Sequence, residues 1–556
     1  MNAALRHAPK VFFSCFLIFL LLSNHYDWDH FLAFFEVERR SWLLDFRPPL
    51  WTYQLCAGVT RLGDPQSFGL SPLFLPILLF GSLWGAKFLV LGCMGIGYFF
   101  LKGTLLLLRG AQDEAARETA SALSLLFLFG NYLLWHFHVG HLTFALIPLM
   151  LGIPYYALRA YRDEFTRRDA VGTALLTFAF FSAGVYHGLV FFFLPLFFSL
   201  GAVRAWLGFQ KFSGASALVR PGEWRFLGSL GLGVLLAGYK LLGVLQYQKN
   251  FPRSLEGSPL ERISPLRYAL YQLLPTWNFS FLGSWNFGEY FGIWEYSCFS
   301  LISWILIAIG IRHFAFRGGN SGRGPDKTHW KLSAAALLPI LLFMLGDLVP
   351  WSLHHVLNEN LYDHSVRALG RYQFSLQYLL VIFLADVLSR LPRSSGIFRS
   401  RVLVAGLLLA LVNFGTFFES LSPVRFRNLL AYRPLPLREM REGVLVPKRS
   451  DSDSFMYESV LMGKAVANCY EPLARVTAIA TEERGLPALG LGADQRTFGL
   501  VDSSDEKCRE RSYVTQGHVV LDSAACGKGT CVNLNWLRPG EPGLRVARDR
   551  RKYCVP

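Results

Sequence analysis

The stretch that decides the fold is VFFSCFLIFLLLSNHYDWDHFLAFFEVERR, residues 11–40. Its first part, 11–24, is an apolar run without a charged residue, and its second part opens with Asp27 and Asp29 on either side of a tryptophan. An acidic residue in this position caps the following helix and complements its dipole, or it belongs to a catalytic carboxylate pair. The choice depends on which side of a membrane the pair faces.

The composition excludes an ordinary soluble protein. Of the 556 residues, 52% are hydrophobic and 17% are charged, and the mean hydropathy is +0.32, whereas soluble domains carry roughly 25% charged residues. The apolar residues form many separate runs, as in proteins that hide such runs in lipid. Arg6 and Lys10 precede the first run in the manner of a signal peptide, but no small-residue cleavage site follows, so we expect a retained first helix.

The formal net charge of +16 has two explanations, nucleic-acid binding or the sorting of Lys and Arg to the cytoplasmic side of a membrane. The basic residues are scattered in short loops and do not lie together on one face, which argues against nucleic acid. The positive-inside rule accounts for them without a further ligand.

The apolar runs predict about eleven transmembrane helices. A further apolar stretch, 70–85, is short and contains two prolines, and we interpret it as a re-entrant or interfacial piece. This count puts the N-terminus and nearly all short basic loops in the cytoplasm and sends the C-terminus outside. The predicted spans lie at 11–24, 87–108, 119–135, 141–158, 169–186, 189–207, 226–246, 297–312, 332–349, 372–389 and 402–419.

We therefore expect an all-α polytopic membrane domain over residues 1–419 and an extracytoplasmic, mainly β domain over 420–556. Short alternating stretches such as RVTAIAT and HVVLDSA, separated by turn residues, favour strands in the second domain. The longest connections fall on the outer face, which indicates that the protein acts there. These outer segments are the first outer loop at 25–86, the HFHVGH turn at 136–141, and the loops at 247–296 and 350–371.

Five of the nine cysteines lie in the C-terminal domain, in keeping with an oxidising compartment. The motif CGKGTC has a glycine-rich turn that favours a disulfide between Cys526 and Cys531. A zinc site is the alternative, but no second C-x-x-C pair or histidine pair accompanies the motif.

Several short motifs along the chain carry a resemblance to a known family. The D-x-D pair, Asp27 and Asp29, is followed in the first outer loop by PPLW and GDPQSFGLSPLF, and later by GHLTFALIPLML, RALGRYQFSLQYLL and NCYEPL. This arrangement resembles the GT-C superfamily of integral-membrane glycosyltransferases, and the nearest likeness is to bacterial YfhO-type membrane proteins. The resemblance implies a protein of the bacterial inner membrane.

It also implies that a sugar moves from a polyprenyl-phosphate-linked donor to a glycan, lipid or polymer on the outer face, with inversion at the anomeric carbon. Asp27 is the expected general base on the acceptor hydroxyl, a role that suits a carboxylate near water. Asp29 is expected to support it or to hold a divalent cation, Mg²⁺ or Mn²⁺. Arg367 and Arg371 are the expected donor phosphate-binding residues, because guanidinium groups match phosphate oxygens; headgroup anchoring is the alternative.

Further candidates for substrate binding lie near the outer ends of predicted spans. His138 and His141, together with His136, could orient the substrate or bind zinc, although histidines are also common at interfaces for their polar edge. Trp285 could stack on a sugar or anchor the chain at the interface, and Glu295 falls near the end of a span.

Two functions of other classes stay open. A transporter or flippase of lipid-linked sugars carries ionisable groups and broken helices near the membrane midplane, in paired halves, and no such pairing is visible in this sequence. A non-catalytic envelope assembly factor would bind its partners through the outer tail. The motifs favour the glycosyltransferase.

Overall fold

The computed structural model of the chain describes residues 2–22, 28–52, 59–109, 113–183, 189–210, 221–250, 336, 338–343, 351–360, 372–390, 400–408 and 410–411, and strand segments between 444 and 554. Most of these residues are helical, as the predicted fold class requires. The described helices are α1 (Asn2–Leu22), α2 (Trp28–Leu43), α3 (Leu75–Arg109), α4 (Glu114–Leu128), α5 (Asn131–Val139), α6 (Leu146–Met150), α7 (Gly152–Tyr161), α8 (Arg167–Ser182), α9 (Leu194–Gln210), α10 (Pro221–Leu236), α11 (Gly238–Asn250), α12 (Leu353–Asn360) and α13 (Gln373–Arg390).

Shorter elements connect some of these helices. Turns of 3₁₀ type occupy Pro72–Phe74 and Leu142–Ala145, and a π turn occupies Leu189–Phe193. Strands β1 (Trp51–Thr52) and β2 (Val59–Thr60) pair antiparallel between α2 and α3.

The sequence of α2 has the pattern of an amphipathic interfacial helix, but the structure places the helix inside the protein. Residues 31–38 are all buried, so the polar side is buried as well as the phenylalanine side. Glu36 and Glu38 are 5% and 0% exposed. Arginines make this burial tolerable, because Arg40 lies 3.1 Å from Glu36 and Arg61 lies 2.6 Å from Glu38. The helix reaches the surface at its C-terminal turn.

The α3 helix reverses direction at Gly81. The backbone there is not helical, with φ 81° and ψ 168°, a conformation that is essentially restricted to glycine. A Cβ added to Gly85 would lie 2.3 Å from the Cα of Ile77, whereas residues eight apart in a straight helix are about 12 Å apart. The stretch 70–85, interpreted from the sequence as a re-entrant or interfacial piece, thus folds back on the start of the helix that follows it.

By length and composition, three described helical segments could cross a membrane: Ala4–Leu21, Pro72–Leu108 and Leu142–Tyr161. Two bent pairs, α4 with α5 at 42° and α10 with α11 at 58°, would raise the number to five within the described residues if each pair were one span. The predicted spans 119–135 and 226–246 are therefore bent. The described part of the chain does not reach the predicted count of eleven.

The helical bundle has two chemically different ends. At one, named here the basic end, Arg6 of α1 pairs with Glu114 of α4, and Arg159 of α7 bonds Asp169 of α8 at 2.9 Å. At the other, named the first-loop end, lie α2 and the 59–74 segment. Further arginines on the helix termini of the basic end are Arg117, Arg162, Arg167, Arg168 and Arg225.

The core lies where α1 meets α4 and α5. Phe12, Phe16 and Phe19 of α1 are at most 1% exposed. The ring of Phe12 lies 5.5 Å from that of Phe129, and the ring of Phe16 lies 5.9 Å from that of Phe137. These aromatic contacts hold the end of α1 against α5.

Large apolar side chains face outward on several helices. Phe99 of α3 is 70% exposed, and Leu235 of α10 is 76% exposed. Soluble monomers rarely expose large continuous apolar patches, so these surfaces support contact with lipid.

In the C-terminal region the described strands are β3 (Val444–Leu445), β4 (Ala465–Val466), β5 (Phe498–Asp502), β6 (Tyr513–Thr515), β7 (His518–Val520), β8 (Cys531–Arg538) and β9 (Arg545–Cys554). They pair in the orders β4-β3-β6-β7 and β5-β8-β9. The antiparallel register of β8 and β9 sets Cys531 opposite Cys554. Cys526 lies outside the described residues, and the predicted mainly β domain over 420–556 stays a prediction.

Candidate functional site

The start of α2 meets the HFHVGH turn at the first-loop end. The indole of Trp28, the first residue of α2, is fully buried, and its Nε1 donates a hydrogen bond of 2.8 Å to the carbonyl oxygen of Phe137. Trp28 stands between the two residues of the D-x-D pair, and Phe137 directly precedes His138. Segments 109 residues apart in the sequence are therefore neighbours in the fold.

The conformation of the turn depends on Gly140. α5 ends there with φ 89°, in the left-handed region, and the Gly140 N–H donates to the carbonyls of His136 and Phe137. The His136 ring stacks on Phe144 with centroids 3.6 Å apart. Its Nδ1 lies 2.9 Å from Nδ1 of His141, so one of the two nitrogens donates and the other accepts.

The histidines of this turn are packed side chains. His138 is 3% exposed, and its ring lies 6.4 Å from that of Phe19. Within the described ranges, no group of three His, Cys, Asp or Glu side chains is placed to hold a metal ion. The zinc interpretation of His136, His138 and His141 therefore gains no support from this geometry.

Lys87 places a positive charge next to the end of α1 and the start of α2. It is 5% exposed, and its Nζ donates a 3.2 Å hydrogen bond to the carbonyl oxygen of Leu21, near the end of α1. An ammonium group there complements the negative end of the helix dipole. Its Nζ also lies 5.8 Å from the centre of the Trp28 ring, so Lys87 is a cation next to the segment that carries the D-x-D pair.

A second group of charged side chains links α2 to the 59–74 segment and to α11. We call it the buried ion network, and its members are Glu38, Arg61, Asp64 and Lys240. Arg61 donates to Oε1 of Glu38 from Nε at 2.9 Å and from Nη2 at 2.6 Å, and Nη1 bonds Oδ2 of Asp64. Each of the four side chains is at most 1% exposed. Removing one charge from such a buried group is costly, because its partner is left uncompensated.

The network contains two carboxylates and two basic side chains, and Arg61 pairs with both carboxylates. Burial by itself would lower the pKa of Arg61, but the charges of Glu38 and Asp64 and a hydrogen bond with Glu38 raise that pKa above its ordinary value. The guanidinium is thus charged at any physiological pH. Lys240 Nζ donates to the backbone carbonyls of Arg61 and Asp64 at 3.0 and 2.8 Å.

Further hydrogen bonds hold the 59–74 segment at both of its sides. Trp42 of α2 donates to the carbonyl of Gly69 at 2.7 Å, and Ser67 donates to Glu38 at 2.6 Å. On the far side Ser71 donates to the carbonyl of Ala179 in α8 at 2.6 Å. The motif GDPQSFGLSPLF is therefore held in position at the first-loop end by contacts to both α2 and α8.

Several predicted site residues lie wholly or in part outside the described residues. Asp27 lies outside the described residues, and of Asp29 the structure describes the backbone position in α2. Four others also fall outside the described ranges: Arg367, Arg371, Trp285 and Glu295. Of the predicted site, the structure brings together the α2 start with His138 and His141.

Sequence reasoning missed the buried ion network and Lys87. A signal was present for Lys240, because an ionisable residue inside a predicted span, 226–246, is by default a functional or structural site. For Arg61 and Asp64 the signal was weaker, since charged residues in a Pro- and Gly-rich loop are normally solvated. No protein-family model matches this chain, and neither a curated protein nor a solved structure was found to be similar to it.

Proposed function

We propose that the protein is a membrane glycosyltransferase that moves a sugar from a polyprenyl-phosphate-linked donor to an acceptor on the extracytoplasmic face. The observation that carries the proposal is the hydrogen bond from Trp28 to the carbonyl of Phe137. It joins the segment of the D-x-D pair to the turn of His138 and His141, at the end of the bundle opposite the basic end.

The chemistry needs a base for the acceptor hydroxyl and a cation for the leaving phosphate. Asp27 is the proposed base, because a carboxylate near water is ionised at neutral pH and accepts a proton as the acceptor oxygen attacks. Asp29 supports it or holds a divalent cation. Lys87 lies beside this segment and adds to Arg367 and Arg371 as a group for the donor phosphate.

The proposal includes a topology. The basic end faces the cytoplasm with the N-terminus, since Lys and Arg are retained on that side, and the first-loop end faces outward. Eleven spans over residues 1–419 and an extracytoplasmic β-rich domain over 420–556 complete it, in the inner membrane of a bacterium. The buried ion network then serves as the scaffold of the first outer loop.

The test is transfer by purified full-length protein from a panel of polyprenyl-phosphate hexoses and pentoses, measured as release of polyprenyl phosphate in the presence of an envelope extract. Asp27→Asn should abolish transfer, because an amide has no basic lone pair at neutral pH, while Asn caps a helix as well as Asp does. Adding a chelator to the wild type separates a metal-dependent role of Asp29 from a supporting one.

Asp113→Asn is the matched control, because Asp113 caps α4 through a 2.6 Å bond from the N–H of Ala116. It should keep both stability and transfer. If Asp27→Asn behaves like Asp113→Asn, Asp27 is a helix cap and the catalytic assignment fails.

One observation favours a second candidate, a transporter of lipid-linked sugars. The bent pairs α4–α5 and α10–α11 resemble the discontinuous helices of transporters, and the buried Lys240 lies just after the second bend. Reconstituted protein that moves a fluorescent polyprenyl-phosphate sugar across liposomes without transferring it would favour this candidate. Protein that shows neither activity would favour the non-catalytic assembly factor.

A further inference from the structure

A cleft of about 420 Å³ opens between α8 and α10 at the basic end. Arg167 of α8 and Arg225 of α10 stand on its two walls. Thr166 and Ser229 contribute hydroxyl groups to the same cleft, and Ser229 donates its proton to the carbonyl oxygen of Arg225 at 2.7 Å. The cleft thus combines two guanidinium groups with hydroxyl oxygens.

The two guanidinium groups are available for an anion. No carboxylate in the described part of the chain forms an ion pair with Arg167 or Arg225. The nearest acidic residue along α8, Asp169, is already engaged, because it accepts hydrogen bonds from Arg159 and from the backbone and side chain of Thr166. One oxygen of Asp169 is therefore paired with Arg159 at the end of α7, and the other is engaged by Thr166.

The remainder of the cleft is apolar and continues along the bundle. Ala170, Gly228 and Leu232 line it. Further along α10, Leu235 is 76% exposed, and near the start of the helix Trp224 is 63% exposed. Tryptophan is enriched at the level of lipid headgroups. Polar groups on the cleft walls beside an exposed apolar surface match a molecule that has an anionic head and hydrocarbon tails.

We propose that this cleft binds the headgroup of an anionic phospholipid of the leaflet at the basic end. The phosphate lies between Arg167 and Arg225, and an acyl chain follows α10 past Leu232. Basic clefts between helices on the cytoplasmic side are suited to anionic headgroups. The site is separate from the proposed sugar-transfer site, and it rests on the proposed membrane position of the basic end.

The experiment is native mass spectrometry of the full-length protein in detergent, with phosphatidylglycerol or phosphatidylcholine added at equal concentration. The wild type should retain phosphatidylglycerol in preference to phosphatidylcholine. Arg167→Gln and Arg225→Gln should each lower this retention about fivefold, which is the contribution of one basic residue near an anionic headgroup. Arg168→Gln is the matched control, because Arg168 is exposed, adjacent in sequence and not part of the cleft lining.

A second pair of variants tests the shape of the cleft while leaving its charge unchanged. A Cβ on Gly228 or on Gly231 meets no atom within 4 Å, so both positions accept a larger side chain. Gly228→Phe should fill the cleft and reduce retention of phosphatidylglycerol, whereas Gly231→Phe should not, because Gly231 does not line it.

A parallel titration with inorganic phosphate, followed by thermal unfolding, distinguishes a lipid from a free anion. We expect phosphatidylglycerol to raise the unfolding temperature and millimolar phosphate to leave it unchanged. Stabilisation by phosphate alone would assign the site to a soluble anion and overturn the lipid proposal. Equal retention of both lipids, or equal effects of Arg167→Gln and Arg168→Gln, would overturn it as well.

Discussion

Arg61 binds Glu38 through two guanidinium nitrogens that both donate to the same carboxylate oxygen, across 23 residues of sequence. The third guanidinium nitrogen, Nη1, donates to Asp64. The guanidinium group also lies over the ring of Phe34, with Cζ 4.1 Å from the ring centroid. Together with the hydrogen bonds of Trp42 and Ser67, this side chain fastens the 59–74 segment to α2. The position of the 59–74 segment relative to the start of α2 depends on these contacts.

The first prediction follows from the charge balance of the buried ion network. Glu38→Gln keeps the size of the side chain and an accepting oxygen but leaves a buried net positive charge. We expect it to destabilise the protein by about 3 kcal/mol or more, measured by unfolding in detergent. Arg39→Gln is the control in the same helix, because its 3.5 Å pair with Glu36 is partly exposed and such pairs contribute about 0–1 kcal/mol. Equal effects of the two variants would contradict the scaffold role.

The second prediction concerns the reversal of α3. Gly81→Ala places a side chain at φ 81° and ψ 168°, which costs of order 1–3 kcal/mol, although no neighbouring atom lies within 4 Å. Gly92→Ala, at an open helical position of α3, should be neutral or stabilising by up to about 1 kcal/mol. Thermal unfolding of both variants measures the difference. A Gly81→Ala protein as stable as Gly92→Ala would show that α3 does not reverse there.

The sequence predicts the helices better than their bends and contacts. The helix over Trp28–Leu43 follows from the spacing of its apolar residues. The sequence does not predict the break between α4 and α5, because Phe129 and Gly130 are compatible with a continuous span. The partners of Lys240 lie 179 and 176 residues away in sequence, so no local pattern can identify them. Contacts between residues far apart in the sequence decide whether a charged side chain is solvated or buried. A local sequence pattern predicts only the contacts between residues that are close in the sequence.

The third prediction concerns the orientation of the chain. Arg6 and the start of α8 belong to the basic end, so a reporter fused near Arg167 should be active in the cytoplasm. A reporter fused after Ser420 should be active in an exported location, because eleven spans put the tail on the opposite side. Activity of both fusions on one side would discard the eleven-span topology and the outer-face site with it.

The fourth prediction concerns the cysteines of the tail. Residues directly opposite in an antiparallel pair have Cα atoms about 4.5–5.5 Å apart, within the range that a disulfide spans. The register of β8 and β9 therefore makes Cys554 a competitor of Cys526 for Cys531, and we expect the bond from Cys531 to Cys554. Peptide mapping of unreduced protein identifies the pair, and Cys526→Ser should leave it intact. A link from Cys526 to Cys531 would instead support the pairing predicted from the CGKGTC motif and refute the bond from Cys531 to Cys554.

The last prediction separates two roles of Lys87. The residue caps the end of α1 through Leu21 and lies next to Trp28, so it is a structural cation, a phosphate-binding cation or both. If it contacts the donor phosphate, Lys87→Gln should raise the KM for the polyprenyl-phosphate donor at least about tenfold, because a hydrogen bond to a charged group contributes about 1.5–3 kcal/mol. Lys87→Arg should retain most of the affinity.

The matched control is Lys102→Gln. Lys102 lies on the same helix, towards the basic end, where its Nζ is 5.6 Å from the Tyr98 ring. It should leave the donor KM unchanged, since it is remote from the first-loop end. The steady-state kinetics are measured together with thermal unfolding of each variant. A loss of stability in Lys87→Gln with an unchanged KM would restrict Lys87 to the capping of α1. The donor phosphate would then require Arg367 and Arg371 alone.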